Sequence, residues 1–332
     1  MNLWRKLLFP IVPIYYLATF LRNQLYDFNA VSSKSYSVPV ICVGNLSVGG
    51  TGKTPMIEYL IRLLSTKRIA TLSRGYKRHT KGFVLAQEDT KIHEIGDEPY
   101  QFKKKFKDIL VAVDENRQRG IQSLMQLDCS PEIILLDDAF QHRKVRADLN
   151  ILLTAYNHLY ADDCLLPTGD LREPKSGAKR ADMVVVTKCP ENLSDLEKQQ
   201  VKIRLKITEF QKVFFSHIVY NDFVWNDLKT IPLNDLKERP FTLVTGIANA
   251  KPLVDFLNRR ELQFEHLNFK DHHEFSNSEL KKLREKHLII TTEKDFVRLN
   301  DKIDQSSLFY LPIRMVIDKA EAFKQELMSC LH

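Results

Sequence analysis

The sequence predicts an α/β fold in which a parallel β-sheet is covered by helices on both faces. Short, nearly continuous runs of Val, Ile and Leu recur from residue 38 onward and alternate with segments of helical periodicity. Strands that are buried on both faces have this composition, and parallel strands need helical crossovers. The chain has 332 residues, of which 44% are hydrophobic and 27% charged. This suits roughly two globular domains and excludes a disordered chain, a collagen-like repeat and a polytopic membrane protein.

The net charge is modestly positive, because 49 Lys and Arg residues outnumber 42 Asp and Glu residues to give +7. This excess indicates an acidic partner, such as a nucleotide, a nucleic acid or an anionic membrane surface. No module that combines basic and aromatic residues for nucleic-acid binding is recognisable, so we expect no nucleic-acid partner. The five cysteines are scattered without a CxxC pair, which is typical of reduced thiols in the cytosol.

The first 30 residues differ from the rest and predict a helical segment that associates with a membrane. Basic residues flank the uncharged stretch LLFPIVPIYYLATFL (residues 7–21), which is shorter than the roughly 20 residues of a membrane-spanning helix. Pro10 and Pro13 would disturb such a helix, and Tyr15 and Tyr16, like Trp4, suit a lipid headgroup boundary. We expect insertion into the membrane surface; the alternatives are a buried core helix and a spanning or signal segment.

The segment SVGGTGKT (residues 47–54) lies between a predicted strand and a predicted amphipathic helix and has the pattern of a phosphate-binding loop. It matches GxxxxGK[ST] except that Ser47 replaces the first glycine. Glycines let backbone N–H groups surround phosphate oxygens, and the positive end of the following helix favours an anion. Lys53 is expected to reach the β- and γ-phosphates, and the Thr54 hydroxyl to coordinate Mg²⁺, so the fold is predicted to be P-loop NTPase-like. The candidate nucleotide-binding residues are Gly49, Gly50, Thr51, Gly52, Lys53 and Thr54.

Paired carboxylates follow a second predicted strand. The run EIILLDDAFQHR places Asp137 and Asp138 at the carboxyl end of this strand, which is where ligands bind open parallel sheets. One of the two is expected to hold Mg²⁺, directly or through water. Adjacent strand residues point in opposite directions, so only one carboxylate can face the metal, while the other orients a neighbour or a substrate group.

The nucleotide is predicted to be ATP rather than GTP, because the guanine-reading motif Asn-Lys-x-Asp is absent. The segment TKCP (187–190) follows a suitable strand but lacks the final aspartate. The basic loop GDLREPKSGAKR (169–180) suits an anionic substrate. The lysine-rich segment 103–107, in contrast, indicates an exposed helix face with no assigned role.

A kinase also needs a carboxylate or a histidine beside the acceptor hydroxyl to take its proton. The loop IGDEP (95–99) offers Asp97 and Glu98, and the segment DHHEF (271–275) clusters an acid with two imidazoles. Neither motif is specific alone. His272 and His273 are adjacent and would point apart, so they would not easily chelate one metal ion.

Taken together, these motifs resemble the tetraacyldisaccharide 4′-kinase family, the lipid A 4′-kinases of bacterial outer-membrane lipid biosynthesis. That family also lacks the first glycine of the phosphate loop, so Ser47 is no departure from it. The resemblance runs in order along nearly the whole chain. Its motifs are VICVGNLSVGGTGKTP, LSRGYKR (72–78), GDEP (96–99), LLDDAFQHR (135–143), LPTGDLREP (166–174), DHHEF and TTEKDFVRL (291–299).

The resemblance implies transfer of the γ-phosphoryl group of ATP to the 4′-hydroxyl of a tetraacylated, 1-phosphorylated glucosamine disaccharide, with Mg²⁺ as cofactor. It implies that Asp97 is the general base and that a histidine of the DHH motif supports it, with His272 preferred over His273. The candidate catalytic residues are therefore Asp97, His272 and Lys53. The candidate metal ligands are Thr54, Glu98 and Asp138. The candidate residues of the acceptor site and the cleft are Arg74, Tyr76, Asp137, His142, Arg172 and Glu173.

The predicted domains are the membrane-associating segment 1–30, a P-loop kinase domain 31–222 and a smaller α/β domain 223–332. Segments 213–224 and 308–317 are expected to pair as a two-stranded linker. The expected location is the cytoplasmic face of the inner membrane, peripheral or N-terminally anchored, with the lipid A disaccharide precursor as partner and no obligate protein partner evident. Two alternatives are a membrane-attached ATP switch, which leaves the GDEP, LREP and DHH motifs unused, and a soluble small-molecule kinase, which leaves the apolar start unexplained.

Overall fold

The computed structural model describes residues 5, 7–271 and 273–331 and is built on two β-sheets. The strands are β1 (Val40–Asn45), β2 (Ile69–Ser73), β3 (Val84–Leu85), β4 (Leu110–Val113), β5 (Ile133–Asp137), β6 (Leu149–Ala155), β7 (Met183–Thr187), β8 (Lys212–Tyr220), β9 (Phe223–Trp225), β10 (Thr230–Pro232), β11 (Phe241–Thr245), β12 (Phe264–Asn268), β13 (Ile289–Thr292), β14 (Leu308–Leu311) and β15 (Ile313–Ile317).

The α-helices alternate with these strands. They are α1 (Val12–Asp27), α2 (Lys53–Leu63), α3 (Ile92–Ile95), α4 (Asp97–Lys105), α5 (Arg117–Met125), α6 (Asp195–Leu205), α7 (Lys251–Arg259), α8 (Asn277–Arg284), α9 (Glu293–Leu299) and α10 (Ala320–Ser329). Short 3-10 helices span Phe9–Ile11, Tyr160–Asp162, Lys175–Arg180 and Leu233–Leu236. Side-chain caps set several helix starts: the Ser194 hydroxyl, for example, accepts a hydrogen bond from the backbone N–H of Glu197 at the start of α6.

The larger sheet has the strand order β15-β8-β7-β6-β1-β5-β2-β4-β3. Its strands from β8 to β4 are parallel, and only the two edge strands β15 and β3 run antiparallel to their neighbours. Alternate residues of β1 enter opposite cores: Val40 and Cys42 pack on one face, and Ile41 and Val43 on the other. The predicted fold class, a P-loop NTPase-like parallel sheet flanked by helices with a smaller C-terminal α/β part, is confirmed.

The smaller sheet has the strand order β10-β9-β14-β13-β11-β12 and is joined to the larger sheet by two neighbouring chain segments. Outgoing β8 pairs antiparallel with returning β15, with Ile218 opposite Met315, and β9 meets β14 where Trp225 faces Tyr310. The sequence assigns 223–332 to the smaller domain, whereas in the structure β15 joins the larger sheet and α10 packs against it. The reason is burial, because Phe323 of α10 packs against Phe214 of β8 with ring centroids 5.0 Å apart.

Helix α1 lies on the surface of the larger domain and is held there by polar contacts. The Tyr15 hydroxyl donates to the Arg172 carbonyl at 2.7 Å, and the Asn23 amide donates to the Glu173 carboxylate at 2.9 Å. Among the described residues, no helix is long and apolar enough to cross a membrane. The large apolar side chains exposed on and around α1 are Leu7, Leu8, Phe9, Ile11, Ile14, Leu17, Leu21, Leu25 and Phe28.

Candidate active site

The phosphate loop joins β1 to α2 and is fixed to the LREP loop through its backbone. Ser47 is buried and forms an antiparallel bridge with Leu171. The next residue, Val48, donates its backbone N–H to the Asp170 carbonyl at 2.7 Å. A bridged position needs extended backbone rather than the conformational range of glycine, which explains how serine is accommodated at the first position of the pattern.

The turn that follows needs glycine and leads directly into the helix. Gly52 has a φ of +87°, and α2 begins at the next residue. The carbonyl oxygens of Gly50 and Thr51 accept hydrogen bonds from the Lys188 ammonium (2.6 Å) and the Thr187 hydroxyl (2.7 Å). The start of α2 is thereby oriented to present backbone N–H groups to an anion. The predicted residues Gly49, Gly50, Thr51, Gly52, Lys53 and Thr54 form one continuous turn and helix start.

Lys53 extends from α2 toward the carboxyl edge of the larger sheet. Its ammonium lies 3.3 Å from the Asn45 side-chain oxygen and 3.6 Å from an Asp138 carboxylate oxygen. Arg172 donates to both oxygens of Asp138, at 2.9 and 3.0 Å. Burial would raise the pKa of Asp138, but Lys53 and Arg172 outweigh it, and the net shift is downward. Asp138 is therefore an ionised carboxylate held between two cations.

Asp137 has the opposite environment. Burial raises its pKa to about 7; Lys53 opposes this shift, and the carboxylates of Asp138 and Glu98 add to it. Its Oδ1 atom is buried and has no hydrogen-bond partner among the described residues. Arg117, which is also buried, approaches its backbone carbonyl at 3.5 Å and, like Lys53, opposes the upward shift of the Asp137 pKa. An unpaired buried carboxylate oxygen is costly to retain, which marks this atom as a position for a ligand.

We expect the substitution Asp137→Asn to stabilise the unliganded protein at pH 8 but not at pH 4. The folded-state pKa of about 7 lies above the unfolded value of about 3.9, so the folded state binds this proton more tightly. The free energy of unfolding therefore falls as pH rises through this window, by up to about 4 kcal/mol for this group. Thermal unfolding of both proteins across pH 4–8 measures the difference. An equal melting temperature at pH 8 would contradict the raised pKa.

The GDEP loop places two carboxylates at the start of α4. Gly96 has a φ of +90° and separates α3 from α4, and a Cβ there would lie 2.7 Å from the Tyr76 carbonyl oxygen. Asp97 and Glu98 occupy the first turn of α4, where the helix dipole favours negative charge. The glycine therefore sets the direction in which α4 presents its carboxylates.

Two cations on α9 of the smaller domain meet these carboxylates. Arg298 donates through Nε to Asp97 Oδ2 at 2.8 Å, and its Nη1 also contacts the fully buried Asp295 at 3.1 Å. Lys294, one turn earlier, lies 3.8 Å from the Glu98 carboxylate. The smaller domain thus fixes the orientation of both acidic side chains of the GDEP loop.

The DHH segment lies at the same boundary between the domains. Asp271 approaches Lys294 at 3.5 Å. His273 turns instead toward Glu279, with Nε2 3.1 Å from a carboxylate oxygen, and packs within the smaller domain. His272 lies outside the described residues, so its preferred role beside Asp97 stays a prediction.

The candidate cleft residues Arg74, Tyr76 and His142 lie in two different environments. Arg74 and Tyr76 are exposed on the loop that follows β2. His142 is half-buried: burial, followed by the cations Arg117 and Arg74 among others, lowers its pKa to about 4. A neutral imidazole is therefore expected at this position near pH 7, where it can donate or accept a hydrogen bond but carries no charge.

Glu173 is a buried anchor. Its carboxylate accepts hydrogen bonds from Asn23 (2.9 Å), Gln141 (3.0 Å) and Arg180 (2.9 Å). These contacts join α1, the segment after β5 and the LREP loop. The resemblance offered Glu173 as a metal or substrate ligand, whereas all three of these donors belong to the protein itself.

Several charged residues lie at the site although the sequence interpretation assigns them no role. Lys294 and Arg298 lie four residues apart in TTEKDFVRL, a spacing that places two cations on one helix face. Lys188 directly follows the buried strand β7, a position where ligand contacts are common. Arg117 had no comparable signal, because a single arginine after an asparagine cap is usually solvent-exposed.

Comparison with known proteins agrees with this geometry. The family model described as tetraacyldisaccharide-1-P 4′-kinase matches residues 4–332. A tetraacyldisaccharide 4′-kinase of Flavobacterium johnsoniae is 52% identical over 318 residues, covering 95% of this chain and 93% of that protein. One from Bacteroides fragilis is 43% identical over 347 residues, covering 98% and 92%.

A solved structure also matches over its whole length. A crystal structure of LpxK from Aquifex aeolicus, in complex with ATP, superposes with a TM-score of 0.81 and 32% sequence identity. The match covers 99% of this chain and 100% of that chain. The family predicted from the motifs is confirmed, and so is its class, since the matched proteins are named as kinases: this chain belongs to the tetraacyldisaccharide-1-P 4′-kinase family.

Proposed function

We propose that this chain transfers the γ-phosphoryl group of ATP to the 4′-hydroxyl of a tetraacylated glucosamine disaccharide 1-phosphate, the lipid A precursor. The observation that carries this proposal is the convergence of two motifs on one point. The helices that begin at Lys53 and at Asp97 contact each other, since Gln101 of α4 donates to Glu58 of α2 at 3.0 Å, and Glu98 of the GDEP loop raises the pKa of Asp137, which Lys53 lowers. The helix that begins with Asp97 therefore faces the site where the terminal phosphate of a nucleotide would lie.

In this proposal Lys53 and the start of α2 bind the phosphates and neutralise charge that develops during transfer. Asp97 orients the acceptor hydroxyl and takes its proton, while Arg298 fixes the direction of the Asp97 carboxylate. Arg172 and Arg74 supply positive charge for an anionic acceptor, and Tyr76 lines the exposed side of the cleft. His272 is proposed to support Asp97.

The donor set also fits Mg²⁺. The unpaired Asp137 Oδ1 atom is an oxygen that lacks a partner, and carboxylate and hydroxyl oxygens are the ligands that Mg²⁺ prefers. We propose Asp137 and the Thr54 hydroxyl as the protein ligands, with Asp138 and Glu98 completing the acidic surroundings. When bound, Mg²⁺ would neutralise phosphate charge. Addition of Mg²⁺ at pH 8 is expected to raise the melting temperature of the wild type more than that of Asp137→Asn.

One assay tests the proposed function directly. Purified protein is incubated with γ-labelled ATP, Mg²⁺ and the tetraacyldisaccharide 1-phosphate, and the lipid is extracted and examined for label. The expected result is one labelled phosphate at the 4′ position. ATP hydrolysis without labelled lipid would support an ATP switch instead, and labelling of a water-soluble sugar alone would support a soluble small-molecule kinase.

We further propose that α1 places the enzyme on the cytoplasmic face of the inner membrane. The exposed side chains Ile14, Leu17, Leu21 and Leu25 follow helical spacing and form one apolar stripe. Its opposite side carries the contacts of Tyr15 and Asn23 to the LREP loop. A surface helix with this arrangement would bring the acceptor lipid next to the site residues that the same loop supplies.

The double substitution Ile14→Glu/Leu21→Glu is expected to reduce partition to anionic liposomes by at least about tenfold. Each buried apolar side chain contributes roughly 1.5–3 kcal/mol on transfer from water, and both positions are exposed in the structure. Activity on a detergent-dispersed acceptor should be retained. The matched control is Leu196→Glu/Ile203→Glu, which changes two exposed residues of α6. Unchanged partition of the α1 variant would contradict insertion of this stripe.

A further inference from the structure

The lysine-rich end of α4 contains a side chain, Lys105, that lies between two buried carboxylates. The lysine-rich segment 103–107 predicts an exposed helix face, but the Lys105 ammonium lies 2.7 Å from a Glu58 carboxylate oxygen and also bonds Glu293. The side chains of Glu58 and Glu293 are only 3% and 8% exposed. We call Glu58, Lys105 and Glu293 the Lys105 cluster. It joins helices α2, α4 and α9, which carry the phosphate loop lysine, the GDEP carboxylates and their cationic partners.

Neighbouring polar groups keep Glu58 in place. Arg62, one turn along α2, lies 3.0 Å from its Oε2 atom, and Gln101 of α4 donates to its Oε1 atom at 3.0 Å. Glu293 has less support: besides Lys105, it interacts with the backbone N–H of Ile313, the first residue of the returning strand β15. Burial and the neighbouring Glu58 carboxylate raise the pKa of Glu293, while Lys105 opposes that shift. Lys105 is thus the cation that allows both carboxylates to be buried together.

We propose that Lys105 is a positioning residue that holds the smaller domain against the phosphate-loop helix and so sets where Arg298 meets Asp97. This inference rests on the proposed function, because it assigns Asp97 to the acceptor. Lys105 ends the helix that Asp97 begins, and Glu293 begins the helix that carries Arg298. Lys105 therefore links the end of α4 that lies far from Asp97 to the end of α9 that lies far from Arg298. It also links both of them to α2, the helix that starts in the phosphate loop.

The position of the Lys105 cluster lets it influence the geometry between Arg298 and Asp97. Helices α4 and α9 pack against each other, so a rotation of the smaller domain at the Lys105 cluster would move Arg298 relative to Asp97. A displacement of about 1 Å in a catalytic geometry can reduce the rate roughly 100-fold. A nucleotide bound at the start of α2 would restrain that helix, and the Glu58–Lys105–Glu293 contacts would transmit the restraint to α9. The smaller domain would then be held for catalysis when the nucleotide is bound.

Steady-state kinetics separate positioning from simple stabilisation. We expect Lys105→Met to lower kcat roughly 10- to 100-fold, with the KM for ATP changed by less than about twofold, and to lower the melting temperature. The double variant Lys105→Met/Glu293→Gln removes the uncompensated carboxylate and should restore the melting temperature without restoring kcat. Lys105→Arg should retain most of kcat. Recovery of kcat together with melting temperature in the double variant would overturn the proposal, because stability alone would then explain the defect.

Hydrogen exchange provides a readout that does not depend on catalysis. A non-hydrolysable ATP analogue should increase protection of α9 amides in the wild type and in Lys105→Arg but not in Lys105→Met. The matched control, Lys104→Met, changes the exposed neighbouring lysine and should behave as the wild type. Equal protection of α9 in Lys105→Met and the wild type would overturn the proposal, as would no nucleotide effect in the wild type. If the wild type instead shows this protection but leaves the lipid unlabelled, the proposed function fails while the coupling stands.

Discussion

Replacing Lys53 with alanine is expected to abolish phosphoryl transfer and to leave the protein folded. The Lys53 ammonium is the cation that α2 directs toward the site, 3.6 Å from Asp138 and within electrostatic reach of Asp137. Removing one preorganised group that stabilises charge in the transition state lowers kcat roughly 10²- to 10³-fold. The phosphoryl group is loosely bonded in this transition state, so its transfer depends strongly on neighbouring positive charge. We therefore expect a loss at or beyond the upper end of that range, measured as labelled lipid formed per unit time.

The fold should tolerate this change because Asp138 keeps its two hydrogen bonds from Arg172. Circular dichroism and thermal unfolding would verify the folded state. The variant Lys53→Arg preserves the charge but not the compact ammonium, so it should also be inactive. A suitable control is Lys67→Ala, a lysine in an exposed ion pair with Glu132. Wild-type turnover by folded Lys53→Ala would exclude the phosphate loop from catalysis.

The second large effect is expected at Asp97. A positioned general base contributes roughly 10²–10⁴ to the rate, so Asp97→Ala should lower kcat by about that factor while the KM for ATP changes little. The reason is spatial: Asp97 lies at the start of α4, bound by Arg298 of the smaller domain, and the nucleotide is bound by the loop before α2. Kinetics with ATP and the acceptor varied separately measure this difference.

Asp97→Asn refines the test, because the amide preserves size and hydrogen-bonding ability but cannot take a proton at neutral pH. If Asp97 is only a partner for Arg298, Asp97→Asn should retain activity that Asp97→Ala loses. Both variants should lose activity if Asp97 is the base. Asp108→Asn, an exposed aspartate beyond the far end of α4, is the control. A folded Asp97 variant with wild-type kcat would remove this residue from the mechanism.

Local sequence features predicted the parts of the site that a few neighbouring residues determine. The glycine spacing before Lys53, the apolar runs of β1 and β5, and the adjacent Asp137 and Asp138 are each properties of a short segment. Their structure follows from backbone sterics, helix dipoles and the burial of strands on both faces. The fold class could therefore be inferred from the sequence alone, and the order of the motifs along the chain supplied the resemblance to the family.

The environments of Asp137 and Asp138 were decided by tertiary structure. Strand alternation predicted that the two would differ, but it could not show which one would meet a cation. Asp138 has a φ of +49° and meets Arg172 from a separate loop, while Asp137 stays buried and unpaired at Oδ1. Our proposed metal ligand is accordingly Asp137, whereas the sequence favoured Asp138.

The sequence by itself determined the phosphate loop, the parallel sheet and the family, because these depend on residue types at fixed short spacings. Only the tertiary structure decided that Arg298 binds Asp97 across 201 residues, that Lys105 is enclosed by two carboxylates, and that β15 rejoins the larger sheet. Such pairings depend on strand order and on where the chain crosses between domains. Those features are set by the packing of the whole molecule, in which a charged side chain is buried only where distant segments supply its partner.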